Sequence, residues 1–304
     1  PPKKYQDIYN VDFDCADWPQ LWNALLDVVR FWVDHGVTVF RVDNPHTKPL
    51  PFWEWLIASV RDVRPDVIFL AEAFTRQALM DELARVGFNQ SYTYFTWKTS
   101  RWELADYVSE LAGDDVEFFR PNFFVNTPDI LTEQLQHGGP AVFASRLILA
   151  ATLSPSYGIY SGYERFENTA VAPGSEEYLD SEKYEAHRRS LDGPLLPLVA
   201  DLNRIRRAEP ALQHVGPITF LDAKNDHLLA YAKQRGSSAV LTVVNLDADV
   251  TQEGAVWIPP ELGLPDRFTV LDHLSGATFE WVTGDNYVRL EPGLRPAHVL
   301  AVQP

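Results

Sequence analysis

Three carboxylic acids stand just behind apolar runs in this chain. Asp43 follows Phe40-Arg41-Val42, Glu72 follows Phe69-Leu70-Ala71, and Asp129 follows Phe124-Val-Asn-Thr-Pro128. In parallel α/β folds the carboxyl ends of the strands carry the functional groups, so acids on successive strand ends can converge on one pocket. A pair of such carboxyls suits glycoside chemistry, with one as nucleophile and the other as acid and then base, about 5–5.5 Å apart where configuration is retained. Arg41 leaves its strand on the same side as Asp43, because strand side chains alternate with period 2, and a guanidinium there favours an ionised carboxylate. Glu72 interrupts a stretch, 67–74, that is otherwise wholly apolar. Burial raises a glutamate pKa toward neutrality, the property wanted in a general acid. Plainer structural roles compete with these. Asp43-Asn44-Pro45 has the composition of a turn. Asn126-Thr-Pro-Asp129 also reads as a helix start, with Thr127 capping and Pro128 at the first helical position, and local pattern leaves the two readings of Asp129 balanced.

The elements that must hold these residues follow from periodicity. Apolar spacing predicts helices over 18–34, 52–63, 77–86, 103–111, 130–136 and 195–207. Short continuous apolar runs at 37–42, 67–70, 91–95 and 122–125, with another near 158–160, predict strands buried on both faces. This alternation implies a parallel sheet covered by helices. From residue 227 the pattern becomes short segments, 227–233, 239–245, 268–271, 278–282 and 298–302, separated by Gly, Pro, Asp and Asn, which predicts an all-β sandwich. The expected domains are 1–211, an α/β unit, and 212–304, the β-sandwich.

Composition narrows the function. The 304 residues hold 26 Lys plus Arg against 42 Asp plus Glu, a net charge of −16, the wrong sign for a nucleic-acid partner. The single cysteine, Cys15, excludes an internal disulfide or a cysteine-built metal site and fits a cytoplasmic protein. The most apolar window, 141–160, is broken by Arg146, Ser154 and Pro155, and the opening Pro-Pro-Lys-Lys has no apolar run behind it, so neither a membrane span nor a signal peptide is expected. Dinucleotide, Walker, nucleophile-elbow and H-E-x-x-H motifs are absent, and no metal or cofactor is expected. The chain opens without methionine, its only one being Met80, which suggests a fragment.

In the order Gly36-Val-Thr-Val-Phe-Arg41-Val-Asp43-Asn-Pro-His46, Phe69-Leu-Ala-Glu72 and Phe124-Val-Asn-Thr-Pro-Asp129, the chain resembles the α-amylase superfamily, glycoside hydrolase family 13. More narrowly, Lys3-Lys-Tyr-Gln-Asp7, Asp43-Asn-Pro-His-Thr-Lys-Pro49, Leu70-Ala-Glu-Ala-Phe-Thr75, Gln90-Ser-Tyr-Thr-Tyr-Phe-Thr-Trp97 and Tyr178-Leu-Asp-Ser-Glu-Lys-Tyr184 resemble its GlgE maltosyltransferase subfamily. That resemblance implies transfer of maltosyl from α-maltose 1-phosphate to the non-reducing end of an α-1,4-glucan, with phosphate released and configuration retained. It makes Asp43 the nucleophile, Glu72 the general acid/base and Asp129 the residue gripping the distorted donor sugar. It makes Arg41 the residue that orients Asp43, places Asn44, Tyr5 and Lys3 near the phosphate, and places Lys183 and Tyr184 on the second glucose. Pro128 stands where general amylases carry His, and Asn44-Pro-His-Thr-Lys48 where they carry Lys-His, which favours the transferase over an ordinary amylase. The resemblance further implies that the chain is the C-terminal part of a (β/α)8 TIM barrel, strands 4–8, with its first three strands in an N-terminal part that holds it, and that the enzyme is a homodimer. The competing expectations are a glucan hydrolase or trehalose-converting relative on the same fold, and a silent glucan-binding fragment.

Overall fold

The computed structural model describes residues 9, 11–179, 181, 186–190 and 192–303. The chain forms two compact units, one running to Thr93 and including 115–121, the other comprising 94–114 and everything from Asn122 onward.

The first unit is a run of helix–strand repeats: α1 (Trp18–Asp34), β1 (Val39–Asp43), α2 (Leu50–Arg61), β2 (Ile68–Glu72), α3 (Gln77–Arg85) and β3 (Gln90–Tyr92). Gly36, at φ +92°, stops α1 and turns the chain into β1. β1 lies parallel to β2 in the register Val39↔Ile68 through Asp43↔Glu72, and β2 lies parallel to β3 through Leu70↔Gln90 and Ala71↔Ser91. Leu26 and Val33 of α1, Phe52, Leu56 and Ile57 of α2, and Phe69 and Ala71 of β2 make one buried core. The expectation of strands buried on both faces holds for β2 only in part and fails for β1. Val39 is 49% exposed and Ile68 38%, and β1 is an edge strand among the described residues. On α1, Val28, Phe31 and Trp32 are likewise about half exposed, opposite the side that carries Leu26 and Val33.

The second unit starts with a correction: the strand expected over 91–95 ends at Tyr92, and residues 94–97 coil into a 3-10 turn. α4 (Arg101–Leu111) follows, closed at its start by a capping box in which Ser100 and Glu103 satisfy each other's backbone N–H groups. β4 (Pro121–Phe124), α5 (Glu133–His137), α6 (Gly139–Leu153), β5 (Ser156–Gly158) and α7 (Leu196–Ala208) complete the α/β part, with β4 parallel to β5 through Asn122↔Ser156. The helix expected over 130–136 begins only at Glu133, after Thr132. α6 was not expected as a helix. It is buried on every side from Ser145 to Leu153, so its sequence shows no 3.6-residue alternation to read.

Eight antiparallel strands then follow among the described residues: β6 (Ile218–Leu221), β7 (Leu228–Arg235), β8 (Ser238–Asn245), β9 (Gln252–Ile258), β10 (Arg267–Asp272), β11 (Thr278–Val282), β12 (Gly284–Leu290) and β13 (Ala297–Val302). Six form a sheet in the order β11-β10-β13-β8-β7-β6, and β12 pairs with β9. Val256, Ile258, Val288 and Leu290 of the pair pack with Leu241, Val243, Val270 and Leu300 of the larger sheet in one core, the packing of a sandwich. Asp272 is fully buried in this domain and accepts from Ser275 Oγ at 2.6 Å and from the Val299 N–H at 3.2 Å, while His298 Nδ1 lies 3.0 Å away.

The sandwich is fastened to the α/β part of the same unit by buried cations. Arg101 of α4 donates to the Ala223 carbonyl at 2.9 Å and faces Asp222 and Asp226. Lys233 of β7, 1% exposed, donates to the carbonyls of Thr152 (3.4 Å) and Leu153 (3.2 Å) at the end of α6 and to that of His214. Tyr231 meets Thr152 Oγ1 at 2.5 Å. No helix among the described residues is long and apolar enough to cross a membrane.

Candidate active site

The in-register pairing of β1 and β2 sets Asp43 opposite Glu72 at the carboxyl ends of the two strands. Two residues earlier on β1, Arg41 reaches both: Nη1 lies 3.6 Å from Asp43 Oδ1 and Nη2 lies 3.5 Å from Glu72 Oε1. Period-2 alternation places Arg41 and Asp43 on one side, as the sequence indicated. Asn44 closes the arrangement. Its backbone N–H donates to Glu72 Oε2 at 3.2 Å and its Nδ2 donates to Asp43 Oδ1 at 2.9 Å. This double contact needs Asn44 in the left-handed region, φ 44° and ψ 51°, where asparagine is among the few residues at ease.

The two carboxyls differ in environment. The Asp43 side chain is 61% exposed and that of Glu72 only 12%. Burial pushes Glu72 up to about 7, against the opposing pull of the Arg41 guanidinium and the Asn44 N–H, while the Asp43 carboxylate pushes the same way as burial. One exposed carboxylate beside one that holds its proton near neutrality is the division of labour that acid/base glycoside chemistry uses.

Residues 44–48 form a braced loop in front of this pair. The Asn44 carbonyl accepts from Thr47 Oγ1 at 2.8 Å and Lys48 Nζ at 3.3 Å, and Trp53 Nε1 donates to the Pro45 carbonyl at 2.9 Å. Burial lowers the pKa of both His46 and Lys48, and Asp43 draws both back up, so the two side chains lie within its field. Among the described residues His46 Nδ1 is buried without a hydrogen-bond partner. Tyr92, at the end of β3, holds its ring 5.9 Å from the Arg41 guanidinium. The sequence reading assigned no role to His46, Lys48 or Tyr92, although all three fall in stretches it singled out. The available signal was their place at or just beyond strand ends.

Asp129 belongs to the second unit, and its helix-start reading is corrected. Thr127 and Ile130 exchange backbone hydrogen bonds at 3.2 Å in each direction, and the Asp129 N–H donates to Thr127 Oγ1 at 3.2 Å, so 127–130 is a tight turn that presents Asp129 to solvent. The buried anchor beneath it is Asn126, which the sequence gave no reason to choose. Its Nδ2 donates to the Tyr178 hydroxyl at 2.6 Å and its Oδ1 accepts the Tyr160 N–H at 2.8 Å. The structure thus gathers Arg41, Asp43, Asn44 and Glu72 into one cluster and sets Asp129 on its own turn. Lys3, Tyr5, Lys183 and Tyr184 lie outside the described residues. Among the described residues no group of three His, Cys, Asp or Glu side chains could hold a metal ion.

Strand-end acids on parallel βα repeats, followed by an antiparallel sandwich, are the α-amylase arrangement, and comparison of folds agrees. The α-amylase of Geobacillus thermoleovorans, solved with acarbose, superposes on 95% of this chain and 65% of its own with a TM-score of 0.75 at 15% identity. AmyP, solved with maltose, covers 94% of this chain and 68% of its own with a TM-score of 0.71 at 16% identity. The chain therefore has the fold of the C-terminal part of an α-amylase-type barrel with its trailing β-domain. Residues 220–302 match the family described as GLGE, C-terminal. The chain is 54% identical over 312 residues to α-1,4-glucan:maltose-1-phosphate maltosyltransferase 2 of Streptomyces coelicolor, covering 100% of this chain and 46% of that protein. It is 50% identical over 311 residues to the maltosyltransferase of Mycobacterium tuberculosis H37Rv, covering 99% of this chain and 44% of that protein. The chain is thus similar to the GLGE C-terminal family over residues 220–302 and to these maltosyltransferases along its full length, while spanning less than half of theirs.

Proposed function

We propose that the chain is the part of a retaining maltosyltransferase that supplies the reacting carboxyls, moving maltosyl from α-maltose 1-phosphate to the non-reducing end of an α-1,4-glucan. The observation that carries this reading is the facing pair Asp43 and Glu72, bridged by Arg41 and unequal in burial. Asp43 attacks the anomeric carbon, forming a glycosyl ester as the bond to phosphate breaks. Phosphate, with a second pKa of about 6, leaves more readily than a sugar alcohol. Glu72 can protonate it, and the resulting carboxylate then takes the proton of the acceptor hydroxyl that displaces Asp43. Arg41 and the Asn44 amide hold Asp43 aimed. Asn44, with Lys3 and Tyr5, contacts the phosphate, Asp129 grips the donor sugar, and Lys183 with Tyr184 contacts the second glucose. The activity for which the relatives are named supports the same assignment.

In this reading the α/β part of 1–211 joins an N-terminal part of the same enzyme to complete the barrel, 212–304 is its β-sandwich, and the enzyme works as a cytoplasmic homodimer. The test is phosphate release from α-maltose 1-phosphate with maltohexaose as acceptor, catalysed by the full-length protein. Release that Asp43→Ala abolishes is the expected result. Reducing sugar from starch without phosphate dependence would replace the transferase with a hydrolase.

A further inference from the structure

In a chain of net charge −16, one cavity is lined by cations without any acid. It lies in the second unit, where the start of β5 meets the end of α7, and has a volume of about 520 Å³. Ser156, Tyr157, Asn203, Arg206, Arg207 and Gln213 line it. Cavities of roughly 300–1,000 Å³ are the usual size for small-molecule sites. Two arginines in the last turn of a helix commonly serve the helix dipole. Arg206 does not: its guanidinium leaves α7, donates to the Pro155 carbonyl and lies 4.7 Å from the Tyr157 ring centre. Arg207 spends only Nε on its own helix, donating to the Asn203 carbonyl at 3.0 Å. The walls are fixed by their own bonds. Tyr157 donates to Asn203 Oδ1 at 2.9 Å, and Gln213 Nε2 ties the Arg206 and Arg207 carbonyls at 3.1 and 3.3 Å.

Behind the half-buried Arg206 stands a fully buried cation, Lys233, on the neighbouring carbonyls of Thr152 and Leu153. Burial pushes both groups below their usual values, and the Arg206 charge pushes Lys233 down further. Among the described residues no carboxylate opposes this for either. Buried cations normally come with a counter-charge, and here only neutral carbonyls serve. Ser156 opens β5 while Asn126 and Asp129 follow the close of the parallel β4, so the cavity sits at the opposite strand ends of this unit from Asp129.

We propose that this cavity is a second, non-catalytic site that takes a phosphomonoester of monosaccharide size. Arg206 and Arg207 grip the phosphate, the pairing for which guanidinium geometry is suited. Tyr157, Asn203 and Gln213 face the sugar hydroxyls.

The test is calorimetric titration of the full-length protein with glucose 6-phosphate, with glucose and inorganic phosphate as controls. Saturable binding is expected, weakened about tenfold or more by Arg207→Glu, in line with loss of a charge-assisted contact and gain of a repulsive one. Arg207→Lys should fall between. Because Arg207 is exposed and donates only to its own helix, Arg207→Glu should lower the melting temperature by no more than a helix-end charge reversal does and should keep its maltosyl turnover in the absence of the probe. Glucose alone should not bind here, and inorganic phosphate should bind more weakly than glucose 6-phosphate. Three results would overturn the proposal: no saturable binding, equal binding by Arg207→Glu, or binding lost on Asn44→Ala and kept on Arg207→Glu, which would place the probe in the catalytic cluster. Equal affinity for inorganic phosphate would overturn the sugar component.

Discussion

Replacing Arg41 by Gln removes the cation that bridges the facing carboxyls of Asp43 and Glu72. Its guanidinium lies 3.5 Å from Glu72 Oε1. Unit charges at that distance attract by about 1.2 kcal/mol in water and about 4.7 kcal/mol at an effective dielectric of about 20. The Arg41 side chain is 40% exposed, so solvent screening places the interaction near the lower figure. At 1.36 kcal/mol per unit that is a shift of about 1 unit. Arg41 favours the charged form of Glu72, so its loss must move the Glu72 pKa upward, from about 7 toward about 8. In the proposed mechanism the step that expels phosphate needs Glu72 protonated. The alkaline limb of kcat/KM against pH, followed by phosphate release from α-maltose 1-phosphate by the full-length protein, should therefore move up by about 1 unit in Arg41→Gln and return in Arg41→Lys. Activity at the plateau falls as well, since Asp43 loses the same cation. A limb that stays within about 0.3 unit would refute the argument that Arg41 sets the charge of Glu72.

Glu72→Gln should separate stability from activity. A glutamate whose folded pKa is raised binds more protons folded than unfolded between about 4.5 and about 7, so its contribution to stability falls as pH rises through that window. Gln at this position should match Glu near pH 4.5 and be more stable by about 1–3 kcal/mol at pH 8, read from melting curves at both pH values. Asn44→Ala and Asn44→Gly both remove the amide from Asp43, but only alanine strains the left-handed backbone. Alanine should be the less stable of the two by about 1 kcal/mol in urea unfolding, with similar losses of turnover. Asp272→Ala leaves His298, Ser275 and the Val299 N–H without their acceptor inside the sandwich. It should cost about 3–5 kcal/mol in the same assay without a specific effect on kcat.

The sequence showed the acids because β1 and β2 are short apolar runs and their ends could be counted. Asp43 and Glu72 each occupy the last position of a strand, and Arg41 follows from alternation. What could not be counted was what crosses between strands. The Asn44 N–H on Glu72 and the Arg41 bridge depend on the β1–β2 register, and Tyr92 on the neighbouring β3, none of which local pattern specifies. α6 escaped because a helix buried all round has no polar stripe. β6, β9 and β12 escaped for other reasons. β9 begins Gln-Glu-Gly, and β12 alternates buried and exposed residues through Asp285, Tyr287 and Arg289 in a pattern easily taken for loop. At Asp129 the helix-start residues were present but were spent on a turn: the Thr127 hydroxyl that would cap a helix binds the Asp129 N–H inside a two-way backbone bridge, and the helix waits for Thr132.

The buried fastenings of the sandwich bear on how such a protein can be recombined. Arg101 reaches from α4 to the 222–226 loop, and Lys233 and Tyr231 reach from β7 to the end of α6. A chimera cut between residues 211 and 212, the boundary expected from the sequence, would mate a foreign β7 with the native end of α6. Unless the donor carries a lysine at the Lys233 position, carbonyls sealed from water lose their donor. A donor without the acids at 222 and 226 leaves Arg101 short of its counter-ions. Crossover libraries at that junction should therefore enrich for parents matched at Arg101, Asp222, Asp226 and Lys233, and the trailing domain is inherited with α4 and α6 rather than as an exchangeable cassette.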